Sequence, residues 1–388
     1  MKKTLLAAAL ATGFGFAVGA AHAETSVTLY GIVDGGIGYQ QLKGTYTTTD
    51  PATGLPVDVD YNGKRTGMIN GINSANRWGL KGTEDLGNGL QAVFVLESGF
   101  DLGTGVSGQS LGNSNRMFGR QATVGLQSDA WGRLDLGRQT NIASKYFAGI
   151  ASPFGVDFGQ AAAGATFNSA ASLRYDNMVM YQTPSYSGFQ FGIGYSFNAN
   201  GPQGFRQSGG DDPNTHAWTT GLRYDNGPIG VAATYDQFES PDAFADGTPN
   251  PDGGVKVKSW NVGASYDFQV VKLHAGFGQT RNGWFQGITF ADLDATGALM
   301  ANDGMRVNSY TVGLSAPVGA GQVMASWGMA DPRGTVGDDE KQNIYSLGYT
   351  YPLSKRTNVY AVGSYAKNVA FQDDLKSTLV GVGVRHQF

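Results

Sequence analysis

Cysteine is absent from all 388 residues. That excludes a disulfide framework and any thiolate-held metal, so the fold must hold without covalent staples. Positive charge is not in surplus either, with 27 Lys and Arg against 31 Asp and Glu. Such a balance offers no basic surface for nucleic acid. Beyond residue 23 no run of about 18 apolar residues occurs, so no membrane-crossing helix is expected. Histidine is scarce there. Only His216, His274 and His386 remain, none in a zinc-binding spacing.

What is present begins with an export leader. Lys2 and Lys3 precede an apolar run from Leu5 to Ala20, and Ala21-His22-Ala23 supplies the small-x-small cleavage pattern. Residues 1–23 are therefore read as a cleaved signal peptide and 24–388 as one exported domain. Losing Lys2 and Lys3 moves the formal net charge from −4 to −6. The 59 glycines argue against a mainly helical chain, because each interior Gly costs a helix about 0.8–1 kcal/mol relative to Ala. Aromatics, at 12%, argue against disorder. An exported chain of this kind is either a soluble β protein or a closed barrel, in which every backbone group is paired within the sheet.

The hydrophobic period is two. Phe189, Phe191, Ile193, Tyr195 and Phe197 alternate with Gln190, Gly192, Gly194, Ser196 and Asn198. Val271, Leu273, Ala275 and Phe277 alternate with Lys272, His274, Gly276 and Gly278. This spacing predicts strands. Sixteen such segments lie near 26–40, 75–83, 90–99, 118–127, 131–139, 173–183, 188–198, 216–225, 229–239, 256–267, 270–281, 306–316, 321–330, 342–352, 357–367 and 377–388. An even count suits a bacterial transmembrane barrel. Short connections, such as 85–89 and 317–321, alternate with long ones near 41–74, 140–172, 199–215, 240–255 and 282–305. Short turns at one end and long loops at the other is the outer-membrane pattern.

A soluble two-sheet protein would also alternate. Aromatics near strand ends, such as Tyr195, Phe197, Tyr349, Tyr351 and Trp327, favour lipid interfaces instead. The last strand ends on Phe388, which shares a face with Val380, Val382 and Val384. That face suits lipid.

The chain resembles the trimeric general porins of Gram-negative outer membranes, in particular the β-proteobacterial type. The residues that carry the resemblance are Val27-Thr28-Leu29-Tyr30-Gly31, the run Asn76-Arg77-Trp78-Gly79-Leu80-Lys81-Gly82-Thr83-Glu84-Asp85-Leu86-Gly87, Leu136-Gly137-Arg138-Gln139, and the ending Gly383-Val384-Arg385-His386-Gln387-Phe388. The resemblance implies a 16-stranded antiparallel barrel, three per trimer, set in outer-membrane lipid and lipopolysaccharide. It implies a third external loop, here 140–172, folded into the lumen. It implies that the barrel-assembly machinery reads Phe388. It also implies a constriction in which wall arginines, matched by Arg77, Arg138 and Arg174, face an acidic loop residue, matched by Asp157. The chain departs from relatives at Ile32, where some carry lysine, and at Phe154, where an acid often follows the loop proline. Asp157 is the only carboxylate in 140–172.

Parity supports part of this. Trp78 and Leu80 take the lipid side, which leaves Arg77 and Lys81 inside. Val179 and Tyr181 point outward, which leaves Arg174 and Asp176 inside. Arg138 shares parity with Leu134 and Leu136 and reaches the pore only if the strand ends or bulges there. Arg120 has the same difficulty and is assigned to a subunit contact or the external rim. Arg77, Arg138, Arg174 and Lys81 against Asp157 and the wall acid Asp34 give a weak anion preference. Acidic loop clusters such as Asp211-Asp212 attract cations only at the mouth, because charges beyond roughly 8–10 Å are screened. The expected function is passive diffusion of ions and small hydrophilic solutes, with no cofactor and no catalysis.

Other patterns weigh less. Gly103 to Gly108 fits a dinucleotide fingerprint but has no following helix. Asp58, Asp60 and Asn62 match the first half of a calcium loop, yet Ile69 stands where the bidentate Glu belongs, leaving only a looser loop site. His274 reads as a solvated wall residue. A barrel phospholipase with a Ser–His pair is the enzyme alternative. A solute-specific channel is another, with Tyr146, Phe147 and Phe154 lining the constriction.

Overall fold

The computed structural model describes residues 26–49, 53–109, 116–206, 208, 210–243, 249–286, 298–334 and 339–388. The expected leader, 1–23, lies outside them. Seventeen strand segments form one antiparallel sheet. They are β1 (Ser26–Thr49), β2 (Pro56–Asn70), β3 (Arg77–Gly87), β4 (Leu90–Gly99), β5 (Gln121–Ser128), β6 (Gly132–Thr140), β7 (Arg174–Gln182), β8 (Phe189–Ser196) and β9 (His216–Asn226). The rest are β10 (Ile229–Glu239), β11 (Lys256–Asp267), β12 (Lys272–Gln286), β13 (Ala298–Val318), β14 (Gly321–Arg333), β15 (Gln342–Pro352), β16 (Thr357–Lys367) and β17 (Lys376–Gln387).

Seventeen segments fill sixteen barrel positions. The upper part of β1 pairs with β2, from Gly35 opposite Asn70 upward. Its lower part pairs with β3, from Ile32 opposite Arg77 downward. β2 and β3 are thus one wall strand interrupted at 71–76. On its other edge β1 pairs with β17, Ile32 opposite Gln387 through Lys43 opposite Lys376, and the barrel closes. Gly31 and Phe388 exchange two backbone hydrogen bonds of 3.1 Å at the foot of this seam. Closure removes every sheet edge at membrane depth, which a bilayer requires.

The alternation follows the expected sides. Along β10, Ile229 and Val231 are exposed, while Ala232 and Asp236 are buried. The exposed face is lipid-directed and the buried face looks inward. Two expected loops are largely strand. Segment 41–74 is a hairpin of β1 and β2 rising above the wall, and 282–305 is shortened by extensions of β12 and β13. Their polar composition hid the pairing, because a hairpin in water needs no apolar face.

The segment 141–173 enters the lumen, as expected for the third loop. It holds helices α1 (Ile142–Tyr146) and α2 (Ala148–Ala151) and three 3-10 turns. It runs along the inner wall in order. Ile142 N–H donates to Thr219 Oγ1 on β9, and Asn141 Nδ2 to Asp236 Oδ1 on β10. Asn261 on β11 donates to Ser169 Oγ, and Ser309 on β13 to the Thr166 carbonyl. Gln342 on β15 donates to the Ala165 carbonyl, and Ser377 on β17 to Gln160 Oε1. Finally Phe158 N–H meets the Asn73 carbonyl in the interruption between β2 and β3.

Glycines on the inner wall make room for this path. A Cβ at Gly192 would sit 2.5 Å from Ile142, at Gly263 2.9 Å from Phe147, at Gly276 2.9 Å from Ala151 and at Gly313 2.6 Å from Pro153. Phe147, Phe154, Phe158 and Phe167 bury themselves against the trough so formed. Each such burial is worth about 1.5–3 kcal/mol. The loop is therefore a packed shelf on the inner face.

Candidate functional site

The shelf covers the inner wall from β7 round to β17, with Lys145 reaching toward Asp135 on β6, and leaves β3 to β5 open. The arginines gather at the edge of that opening. Arg77, the first residue of β3, donates Nε to the Ala75 carbonyl at 3.0 Å. Its charge interacts with Arg120, Glu97, Asp157 and Arg385. Asp157, near the far end of the shelf, faces Arg77 and Arg385. Burial pushes its carboxyl up from the ordinary value, and the two arginines pull it part of the way back.

Asp34 is not a free wall acid. It is fully buried, accepts the Tyr360 hydroxyl at 2.6 Å on one oxygen and the Ser74 N–H at 3.0 Å on the other. It therefore fixes the interruption at 71–76 to the seam. Arg385, which stands opposite Asp34 in register, donates to Ser74 Oγ at 3.0 Å. The Lys81 ammonium sits 5.4 Å over the Tyr30 ring, four residues below Arg77 toward the short-turn end.

Arg120 belongs to this group, contrary to its assignment to a rim or subunit contact. It stands one residue before β5, and its N–H donates to the Glu97 carbonyl at 3.1 Å. Strand parity does not bind it there. Its Nε meets Glu97 Oε1 at 2.7 Å, and Tyr30 donates to the other Glu97 oxygen at 3.0 Å.

The strand that carries Arg174 is irregular. The register of β6 and β7 shifts between Gly137 and Gln139, and Asn177 has φ of +48°. One extra residue on β7 turns Leu173 and Tyr175 inward, where both are buried. Arg174 and Asp176 lie beside this bulge at the strand end, and neither is exposed as the outer wall is: Asp176 is buried and Arg174 half-buried. The same bulge was the condition set for Arg138. Arg138 pairs with Asp176 at 2.7 Å and donates to the Gly119 carbonyl at 2.7 Å. Arg116 shares Asp176, also at 2.7 Å. Arg174 interacts with Arg120, Arg138, Glu97 and Arg77, so the rim group and the wall group form one electrostatic cluster.

Six arginines (77, 116, 120, 138, 174 and 385) thus meet four carboxylates, Asp34, Glu97, Asp157 and Asp176. Arg116, Arg120, Arg385 and Glu97 were missed as site residues. Arg385 was legible, since it alternates with Val382 and Val384. Arg116 and Arg120 lie outside regular strand and carried no signal.

Other expectations change. Tyr146, Phe147 and Phe154 are buried under the shelf, not lining the opening. His274 is buried and shares a 2.9 Å hydrogen bond with the Ile150 carbonyl, so it is not a solvated wall residue. Asp58, Asp60 and Asn62 lie on strand β2, not in a loop. Asp58 and Asp60 accept the Thr47 and Thr45 hydroxyls at 2.8 Å, and Asn62 accepts from Gln41. Among the described residues no group of three His, Asp or Glu side chains could hold a metal. Gly108-Gln109-Ser110-Leu111-Gly112 fits the nucleophile-elbow spacing. Gly108 lies in the connection between β4 and β5. Ser110 is outside the described residues.

The family model for Gram-negative porins matches residues 6–370. An outer membrane porin protein of Bordetella pertussis is 56% identical over the whole of both chains. Outer membrane porin protein 32 of Delftia acidovorans is 31% identical, again over the whole of both. Among solved structures, an anion-selective porin from Comamonas acidovorans superposes with a TM-score of 0.68 at 28% identity, covering 94% of this chain and all of that one.

Proposed function

Because this chain belongs to the Gram-negative porin family, we propose that ions and small hydrophilic solutes cross its lumen between the arginine cluster and Asp157, with a weak preference for anions. The protein is a general diffusion channel of the outer membrane, and its family points to a channel rather than an enzyme. Arginine stays charged at any working pH, so the positive field is permanent. Low-dielectric walls concentrate that field across a narrow aqueous opening. Arg77 and Arg385 act from the wall and Asp157 from the shelf, while Arg138 and Arg174 act from the rim. Lys81 extends the positive wall below, and Asp34 holds the geometry.

The observation that carries the sign is the excess of six arginines over four carboxylates. Two acids are spent in direct ion pairs, Glu97 with Arg120 and Asp176 with Arg116 and Arg138. A relative of the same fold bears the description anion-selective, which agrees with that sign.

The channel works as a homotrimer, surrounded by outer-membrane lipid and lipopolysaccharide, and its terminal Phe388 is the residue read by the barrel-assembly machinery. The test is conductance in a planar bilayer under a KCl gradient. Stepwise openings with a reversal potential displaced toward chloride support the reading. A displacement toward potassium overturns the anion preference.

A further inference from the structure

One row of cations has no part in the pore. Lys258 on β11 stands opposite Arg281 on β12, Arg281 opposite Arg306 on β13, and Arg306 opposite Arg333 on β14. Four like charges are thus nearest neighbours across four consecutive strands. Directly opposed like charges destabilise a sheet unless an anion lies between them.

The row faces outward. Val262, Phe277, Val312 and Leu314 share its parity and are exposed on the lipid side. Phe277 stands opposite Tyr310, with ring centroids 5.0 Å apart, in the upper aromatic belt. Arg281 and Arg306 lie two outward positions above that pair, at the end of the long loops. Four residues of tilted strand raise them by roughly 10 Å. That is the height of lipid headgroups above the apolar band.

No ion pair reaches any of the four among the described residues. The nearby acids are taken, Glu239 by Lys256 at 3.6 Å and Asp331 by Lys341 at 3.5 Å. Arg306 Nε is buried without a partner. Arg281, Arg306 and Arg333 line one cleft of about 360 Å³ with Asn282, Gly304, Met305 and Gly334. Guanidinium forks converging on one open space suit the oxygens of a phosphate group.

We propose that Lys258, Arg281, Arg306 and Arg333 bind the headgroup phosphates of lipopolysaccharide in the outer leaflet. This rests on the outer-membrane reading above and locates the lipid contact on the wall of β11 to β14. The phosphate chemistry is shared with free inorganic phosphate, but the lipid-facing position selects the lipid.

The test titrates labelled lipopolysaccharide onto the detergent-purified, folded protein. The wild type is compared with Lys258→Gln, Arg281→Gln, Arg306→Gln, Arg333→Gln and the fourfold variant. Each cation removed weakens binding roughly fivefold, and Arg306→Lys keeps most of it. Phosphatase-treated lipopolysaccharide binds the wild type no better than the intact form binds the fourfold variant. Millimolar inorganic phosphate does not displace the lipid. Equal binding by wild type and a folded variant overturns the proposal, as does displacement by inorganic phosphate, which would mark a free-phosphate site. The single Arg306→Gln variant carries the test if the fourfold variant does not fold. Channel conductance is read on the same samples. Absent channels in the wild type would sink the pore reading alone, while unchanged lipid binding in a conducting variant sinks this one alone.

Discussion

The Tyr360 hydroxyl donates to Asp34 Oδ1 at 2.6 Å, joining residues 326 apart in the chain. The bond passes over Gly383, where a Cβ would lie 2.3 Å from the tyrosine oxygen. It therefore ties β16 to β1 across β17, over the seam where the barrel closes. A seam made by the first and last strands has no connecting turn to hold it, so a side-chain tie there matters more than elsewhere.

Tyr360→Phe leaves a fully buried carboxylate short of one donor. A cost of about 1–3 kcal/mol is expected. Gly383→Ala breaks the same bond by displacing the hydroxyl. Both should lower the midpoint of denaturant unfolding in detergent micelles. An unchanged midpoint in Tyr360→Phe would show that the tie contributes nothing to closure.

Asp157→Asn removes the one carboxylate that the shelf presents to Arg77 and Arg385. The reversal potential under a KCl gradient should move further toward chloride. Arg77→Gln and Arg385→Gln should move it the other way. An unchanged reversal potential in Asp157→Asn would place the carboxylate outside the ion path.

The same residue gives the channel a pH dependence. Burial raises the Asp157 carboxyl above its ordinary value, with Arg77 and Arg385 opposing. Its negative charge is present at neutral pH and is lost as pH falls, beginning above the usual carboxylate range. Anion preference should therefore rise on acidification. Asp157→Asn should be flat over the same interval, and an equal slope in both proteins would assign the titration elsewhere.

Gly276→Val fills the trough beneath Ala151 and Phe147. The added side chain has no space, since a Cβ alone would lie 2.9 Å from Ala151. Overpacking of this kind costs about 1–3 kcal/mol. It should push the shelf into the lumen and lower single-channel conductance. Gly363→Val, where nothing lies within 4 Å of a Cβ, should leave conductance unchanged.

The side assignment is testable by charge. Leu314→Arg puts a cation on the exposed outer face of β13, at an expected cost of about 2–4 kcal/mol near the midplane. Thr83→Arg, on the open inner face of β3, should cost far less. Unfolding in lipid vesicles measures both, and equal losses would contradict the inside–outside reading.

How much of this was legible depends on regularity. Along β8 and β12 the period-two pattern separates an exposed apolar side from an inner polar or small one, because one face meets lipid and the other does not. The same rule put Arg77 and Lys81 inside. It does not by itself decide Arg174, because the bulge at Asn177 inserts one residue and breaks parity without changing the pattern of apolar and polar letters. It could not reach Arg120, which lies one residue outside the regular strand.

The alternation of side chains, the absence of a membrane-crossing helix and the sorting of short turns from long loops determined a closed transmembrane barrel, since lipid tolerates no unpaired backbone edge. The path of the third loop, the gathering of Arg77, Arg120 and Arg385 around Asp157, and the tie between Tyr360 and Asp34 were decided only by the tertiary structure. These contacts join residues tens to hundreds of positions apart. Their partners are chosen by barrel closure and by the glycine trough, and neither has a local period to read.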